Sequence, residues 1–315
     1  MTNKQIELIN KGYNKDDVLR VSEFNESDLA LAINTALDIL SKDVSSVDIP
    51  KCIYVGGQPG VGKSVLSDRL KRSMNAVELS MDACRMFHPR YLEIEKLINN
   101  FYKDKNVTNS NNPGNDIATF THDFSAAMIN ELIRICSDKK YNIILEWNMR
   151  HSSDVLDCMD TLKNKGYSNE AIVVATNKDT SLEACKLRAD AMNSHGHIVR
   201  RVSDSFHKLC IDTIPSSVNE IYKLGTNSII LDKMNVVLRN GTIKWSSKNS
   251  LGLPGDKLNE LYEDKSLDDI NIKEYGDLSY RNESLGLNKK IIKLEDLKQA
   301  LLEYKEISKG KVVNL

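Results

Sequence analysis

The chain has 315 residues, 41% of them hydrophobic and 28% charged, an ordinary composition for a globular protein that buries a sizeable core. Its 43 basic and 44 acidic side chains give a net charge of −1, without the basic excess of a nucleic-acid or membrane-surface binder. No apolar run is long enough to span a membrane, the start Met1-Thr2-Asn3-Lys4-Gln5 lacks a signal core, and the six cysteines show no CxxC spacing, so a reduced, cytoplasmic protein without a zinc site is expected.

Residues 1–48 read as a helical segment. Ser27 is a candidate N-cap, and Leu29, Ile33, Ala36, Leu37 and Leu40 recur at helical spacing. The period then changes. Cys52-Ile53-Tyr54-Val55 is a short apolar run that ends in Gly56-Gly57, which predicts a buried strand feeding a turn. Residues 63–74 follow with helical composition. Short strands are expected over 76–79, 141–146 and 171–175, with helices over 123–137 and 154–165. Strands alternating with helices imply an α/β fold: a mostly parallel sheet in a three-layer sandwich. Asn240-Gly241, between Val236-Val237-Leu238 and Thr242-Ile243-Lys244-Trp245, predicts a hairpin. The stretch from about 250 to 315 is polar, with one amphipathic segment at 294–304. Three units are expected: a helical N-terminal segment (1–48), a P-loop core (49–247) and a polar, partly helical C-terminal appendage (248–315).

Gly57-Gln58-Pro59-Gly60-Val61-Gly62-Lys63-Ser64, followed by Val65, fits the Walker A pattern GxxxxGK[ST] and lies between the first strand and its helix. Glycines let backbone N–H groups curl around a phosphate, and the helix behind them presents its positive end. Lys63 is placed to reach the β- and γ-phosphates of ATP, and Ser64 to ligate Mg²⁺. Thr176-Asn177-Lys178-Asp179 is superficially like the guanine-reading NKxD motif but lacks its spacer, so a GTPase is not expected.

Four ordered features resemble the zeta toxin family, the kinase half of bacterial toxin–antitoxin pairs. They are Val55-Gly56-Gly57-Gln58-Pro59-Gly60; Asp82 with His88-Pro89 behind it; Tyr141-Asn142-Ile143-Ile144-Leu145-Glu146 with Arg150 and Asp154 beyond; and Arg188, Arg200-Arg201, His207 and the Asn240-Gly241 hairpin. The resemblance covers roughly residues 50–247. It implies a phosphotransferase that moves a phosphoryl group from ATP to a sugar hydroxyl of a nucleotide-sugar such as UDP-N-acetylglucosamine, and a small helical antitoxin as partner.

Within that frame, Asp82 ends the second strand, beside the first, where a carboxylate serves as general base; the competing reading is a helix N-cap before Ala83. Glu146, at the end of its strand, orients substrate or a Mg²⁺-bound water, or else pairs structurally with an arginine. Arg188 and one of Arg200 and Arg201 are candidates to clamp the transferring group; spacing to His207 favours Arg200, and the Arg-x-Ser pattern favours Arg201. His88 and His207 read as packing or hydrogen-bonding residues. The acceptor side, assigned to Glu146, Asn148, Asn130 and Arg150, departs from the family. Asn130 stands at a usual glutamate, Trp147-Asn148 replaces Gly-Thr, and Cys158 replaces a threonine. A metabolic or antibiotic-modifying kinase on the same scaffold, or a non-catalytic ATP-binding regulator, remains an alternative.

Overall fold

Three capped helices open the chain. In the computed structural model, which describes residues 1–104, 113–194 and 202–268, Thr2 caps α1 (Asn3–Lys11) and Asn14 caps α2 (Lys15–Ser22). Asn25 caps α3 (Glu26–Leu40), with Asp28 completing a capping box. The expected cap at Ser27 is therefore displaced: Asn25 carries the extended backbone a cap needs (φ −118°, ψ 176°), and Ser27 lies inside the first turn.

The α/β core follows in alternation. β1 (Lys51–Gly56) feeds α4 (Lys63–Met74), and β2 (Ala76–Ser80) runs into the single turn α5 (Met81–Cys84). Helices α6 (Tyr91–Asp104), α7 (Pro113–Phe120) and α8 (His122–Asp138) lead to β3 (Asn142–Glu146). Next come α9 (Ser152–Asn164), β4 (Ser168–Ala175), α10 (Lys178–Ser194) and α11 (Asp204–Asn227). The hairpin β5 (Lys233–Leu238) and β6 (Ile243–Ser246) closes the sheet, and α12 (Pro254–Glu263) follows. Gly241, at φ 91°, makes the predicted turn, its N–H donating to Leu238 O at 2.8 Å. Arg200, Arg201 and the 294–304 segment lie outside the described residues.

The strand order is β2-β3-β1-β4-β5-β6, parallel except for β6 against β5. One face buries Ile53, Val55, Ile144, Val174 and Val237 with Val61 and Leu66 around α4. The other buries Tyr54, Leu79, Leu145 and Val173 against α3, α8, α9, α11 and α12. This is the expected three-layer arrangement. The order corrects one expectation: β2 is not beside β1, because β3 lies between them, pairing Val55 with Glu146 on one side and Ser80 with Glu146 on the other.

A second core lies apart from the sheet. Leu8, Val18 and Val21 from the first two helices pack on Ile94, Ile98, Ile117 and Phe120 from α6 and α7. At its centre Asp116, 3% exposed, accepts from Lys11 Nζ at 2.5 Å, Tyr13 Oη at 2.6 Å and Tyr102 Oη at 2.8 Å. Three donors satisfy a carboxylate that burial alone would penalise heavily. Tyr13 stacks on Phe101 with ring centroids 3.8 Å apart. The first two helices are thus bound to the elements that follow His88-Pro89.

Candidate functional site

The loop between β1 and α4 is built by close backbone approach. A Cβ on Gly57 would stand 2.2 Å from Val174 O, and one on Gly60 would stand 2.0 Å from Ser181 O. Both glycines also have φ in the left-handed region, 131° and 79°. Gln58, fully buried, donates its amide to Thr176 O at 2.9 Å and so ties the loop to the end of β4. Ser181 is held in turn by His207, whose Nε2 lies 2.8 Å from Ser181 Oγ. Burial lowers the His207 pKa, so a neutral imidazole buttresses the loop from behind.

Lys63 opens α4 and curls back, its Nζ donating to Gly57 O and Gln58 O, each at 3.2 Å. Burial depresses its pKa most; the Glu146 carboxylate pulls it up and the nearby Arg188 cation pushes it down again. Arg188, on α10, has a buried Nε without a hydrogen-bond partner. A lysine and an arginine that feel each other's charge, one with an unsatisfied buried donor, beside backbone of this kind are what a polyanion site needs. Arg239, just past β5, lies against Gly62, where a Cβ would be 2.7 Å from its Nε.

Ser64 Oγ donates to Glu146 Oε2 at 3.0 Å. Glu146 thus faces the Gly57–Ser64 loop from the adjacent strand, and its structural partner is Ser64, where the competing expectation is an arginine. Hard oxygens of this kind are what Mg²⁺ takes beside phosphates, so the residues present fit both nucleotide and metal. Two residues before the end of β2, the Glu78 carboxyl is pushed up to about 8, first by burial and then by Glu146. The turn after β3 is tight: Met149 is buried at φ 56°, and Asn148 Oδ1 accepts from Arg150 N at 3.0 Å. The Arg150 guanidinium sits 5.3 Å from the centre of the Phe206 ring.

Asp82 lies beyond the end of β2, in the first turn of α5, with its side chain 60% exposed. It does not cap that helix. Ser80 does, its Oγ accepting from Ala83 N at 3.2 Å, because the last residue of β2 already has the extended backbone of a cap. Asp82 Oδ1 accepts instead from Arg85 Nε at 3.0 Å.

The zeta toxin family model matches residues 34–250, well over half of the chain. The chain belongs to the zeta toxin family. Toxin PezT of Streptococcus pneumoniae is 23% identical to this chain over 247 residues, covering 77% of this chain and 90% of PezT. Toxin zeta of Streptococcus pyogenes is 24% identical over 213 residues, covering 67% of this chain and 69% of that protein. A solved structure from the PezAT chromosomal toxin–antitoxin system of S. pneumoniae superposes with a TM-score of 0.65 at 21% identity, covering 84% of this chain and 99% of that one. That likeness fixes the fold.

In this chain the loop, Lys63, Ser64 and Glu146 converge, and the charge of Arg188 reaches Lys63. Asn130 is exposed on α8, away from the buried face that includes Phe124, Met128 and Leu132, and its neighbour Glu131 is paired with Arg134. His88 is buried, edge-on to Phe124 with ring centroids 4.9 Å apart, and burial lowers its pKa to about 4. The Thr176-Asn177-Lys178-Asp179 run is a helix start: Asn177 Oδ1 accepts from Asp179 N at 2.8 Å. Sequence reasoning missed Ser80, Arg85 and Arg239. Arg85 had a usable signal, since it stands three residues after Asp82 on a helical turn.

Proposed function

We propose that this member of the zeta toxin family is an ATP-dependent kinase that phosphorylates a sugar hydroxyl of a nucleotide-sugar such as UDP-N-acetylglucosamine. The observation that carries the reading is the Gly57–Ser64 loop, with Lys63 Nζ turned onto Gly57 O and Gln58 O and the buried Arg188 Nε lacking a partner. The triphosphate of ATP supplies negative charge and acceptors to Lys63 and Arg188, so its binding is favoured by charge as well as by backbone donors. Lys63 then leaves its loop carbonyls for the phosphates. Arg188, with one of Arg200 and Arg201, stabilises charge that grows on the transferring group. Ser64 and Glu146 are the residues that would hold Mg²⁺, which when bound neutralises phosphate charge.

On the acceptor side Asp82 takes the proton of the attacking hydroxyl. Glu146, Asn148, Asn130 and Arg150 are assigned to acceptor binding on the family resemblance. The antitoxin partner is part of the same proposal, supported by the toxin–antitoxin system to which the PezAT structure belongs.

The test is incubation of the chain with ATP, Mg²⁺ and a panel of nucleotide-sugars and dinucleotides, read by mass spectrometry for the gain of one phosphate. Transfer to UDP-N-acetylglucosamine that disappears in Lys63→Ala is the expected result. ATP consumption that is the same with and without every acceptor argues for a regulator, and transfer by Lys63→Ala at the normal rate removes the loop from the mechanism.

A further inference from the structure

One face of α10 runs along the Gly57–Ser64 loop. Ser181 and Cys185, a turn apart on that helix, both crowd Gly60: a Cβ there would stand 2.0 Å from Ser181 O and 2.7 Å from Cys185 Sγ. Arg188, a further turn along the same face, is the residue whose charge reaches Lys63. Where α10 stands therefore decides how the loop is backed and where one of the nearby cations lies.

A buried pair fixes the start of α10 from the side away from the loop. Ser181, fully buried, and His207, 4% exposed, meet at 2.8 Å between Oγ and Nε2. The direction of that bond follows from the single proton of the hydroxyl. Ser181 Oγ donates to Lys178 O at 2.9 Å, inside the first turn of α10, so the imidazole donates through Nε2–H and the hydroxyl accepts. His207 is itself set in the first turn of α11, its backbone N–H donating to Ser203 O at 2.9 Å, and Ser203 caps that helix through Phe206 N. The imidazole thus carries the position of α11 to the start of α10 and, through Ser181 O, to Gly60.

We infer that His207 is a positioning residue for ATP binding: its Nε2–H holds Ser181 so that α10 keeps the loop in the shape that receives the phosphates. The inference rests on the loop being the ATP site, as in the proposed function. The competing reading makes the His207–Ser181 bond a tie between two helices that affects stability alone. Breaking the bond costs stability on either reading, and only the first extends the loss to the nucleotide.

Nucleotide titration and backbone exchange separate the two. ATP affinity is measured by calorimetry in the wild type, His207→Ala, His207→Gln, His207→Asn, Ser181→Ala and the His207→Ala/Ser181→Ala double variant, alongside thermal unfolding. Loss of the bond is expected to weaken ATP binding on the order of 10-fold in His207→Ala and in Ser181→Ala. His207→Gln, whose amide N–H reaches the place of Nε2–H, recovers most of the affinity, and the shorter His207→Asn does not. The double variant binds no more weakly than Ser181→Ala, as it must if His207 acts through that hydroxyl. Ser181→Ala removes one oxygen and keeps the packing, so it carries the test if His207→Ala does not fold. Wild-type ATP affinity in Ser181→Ala, or losses that add in the double variant, overturn the inference. Amide hydrogen exchange over residues 57–62 in the nucleotide-free protein is the second measurement. Exchange there quickens in Ser181→Ala if the inference holds, and an unchanged rate overturns it. A wild type that binds no ATP counts against the proposed function, and the exchange comparison still decides the role of His207.

Discussion

Ser64 and Glu146 are joined by a hydrogen bond of 3.0 Å that ties the last residue of the Gly57–Ser64 loop to the end of the neighbouring strand. The register of β1 with β3, Val55 opposite Glu146, brings the carboxylate there. Glu146 also supplies the negative charge that partly offsets the burial of Lys63.

Glu146→Gln keeps an oxygen for Ser64 and nearly the same shape, but removes that charge. We predict that the variant folds normally and loses about 10²-fold in phosphoryl transfer, the upper range for residues that orient a metal or its ligand. Steady-state rates together with near-ultraviolet circular dichroism check it. Full activity in the variant would assign Glu146 a purely structural part.

Glu78 gives a pH signature in stability. Its folded carboxyl titrates at about 8, against an ordinary value of 4.5, so the folded state holds the extra proton between those limits. Stability therefore falls as pH rises through that window. Glu78→Gln removes the titrating group while keeping the shape of the side chain. It is predicted to raise the Tm relative to wild type at pH 8 and to lose that advantage by about pH 4.5. A Tm difference that does not change with pH would mean that Glu78 is not buried as a carboxyl.

What was legible in the chain was local. The strand–turn–helix around Gly57–Ser64 announces itself because its glycines lie within a few consecutive residues, and the Asn240-Gly241 turn is a dipeptide signal. The position of β3 between β1 and β2 was not legible, since parallel connections of helical length permit several strand orders. Asp82 and Ser80 both suit a helix start by composition; the backbone at the end of β2 decides for Ser80. The second core was hidden for another reason. Leu8 and Val18 meet Ile94 and Ile117, and a periodicity read along the chain cannot show which distant face covers a given helix.

That second core changes what truncation tests. Removing residues 1–22 strips the cover from Ile94, Ile98 and Phe120 and takes two of the donors to Asp116, Lys11 and Tyr13. Such a deletion therefore mixes any other role of residues 1–22 with loss of fold. Asp116→Ala isolates the staple instead. It leaves Lys11, Tyr13 and Tyr102 without their shared acceptor and is predicted to cost about 3 kcal/mol, as when one member of a buried ion pair is lost. Tyr13→Phe removes a single hydrogen bond and should cost roughly 1 kcal/mol. Urea unfolding measures both. A cost for Asp116→Ala no larger than that for Tyr13→Phe would show that the network is not cooperative.

Asp82 carries the sharpest prediction because its chemical and structural duties can be separated. Ser80, not Asp82, caps α5. The Asp82 side chain is largely solvent-exposed, so its pairing with Arg85 adds little to stability from its own side. Asparagine keeps an oxygen to accept from Arg85 Nε but has no basic oxygen to take a proton. Asp82→Asn is therefore predicted to unfold at the wild-type Tm, within about a degree or two, and to bind ATP as the wild type does. Its transfer rate to the acceptor should fall roughly 10²–10⁴-fold, the usual contribution of a general base. Calorimetric ATP titration, thermal unfolding and single-turnover rates on one preparation make the comparison. Normal turnover would place the base elsewhere. A rate loss accompanied by a fall in Tm and in ATP affinity would show that Asp82 supports the fold.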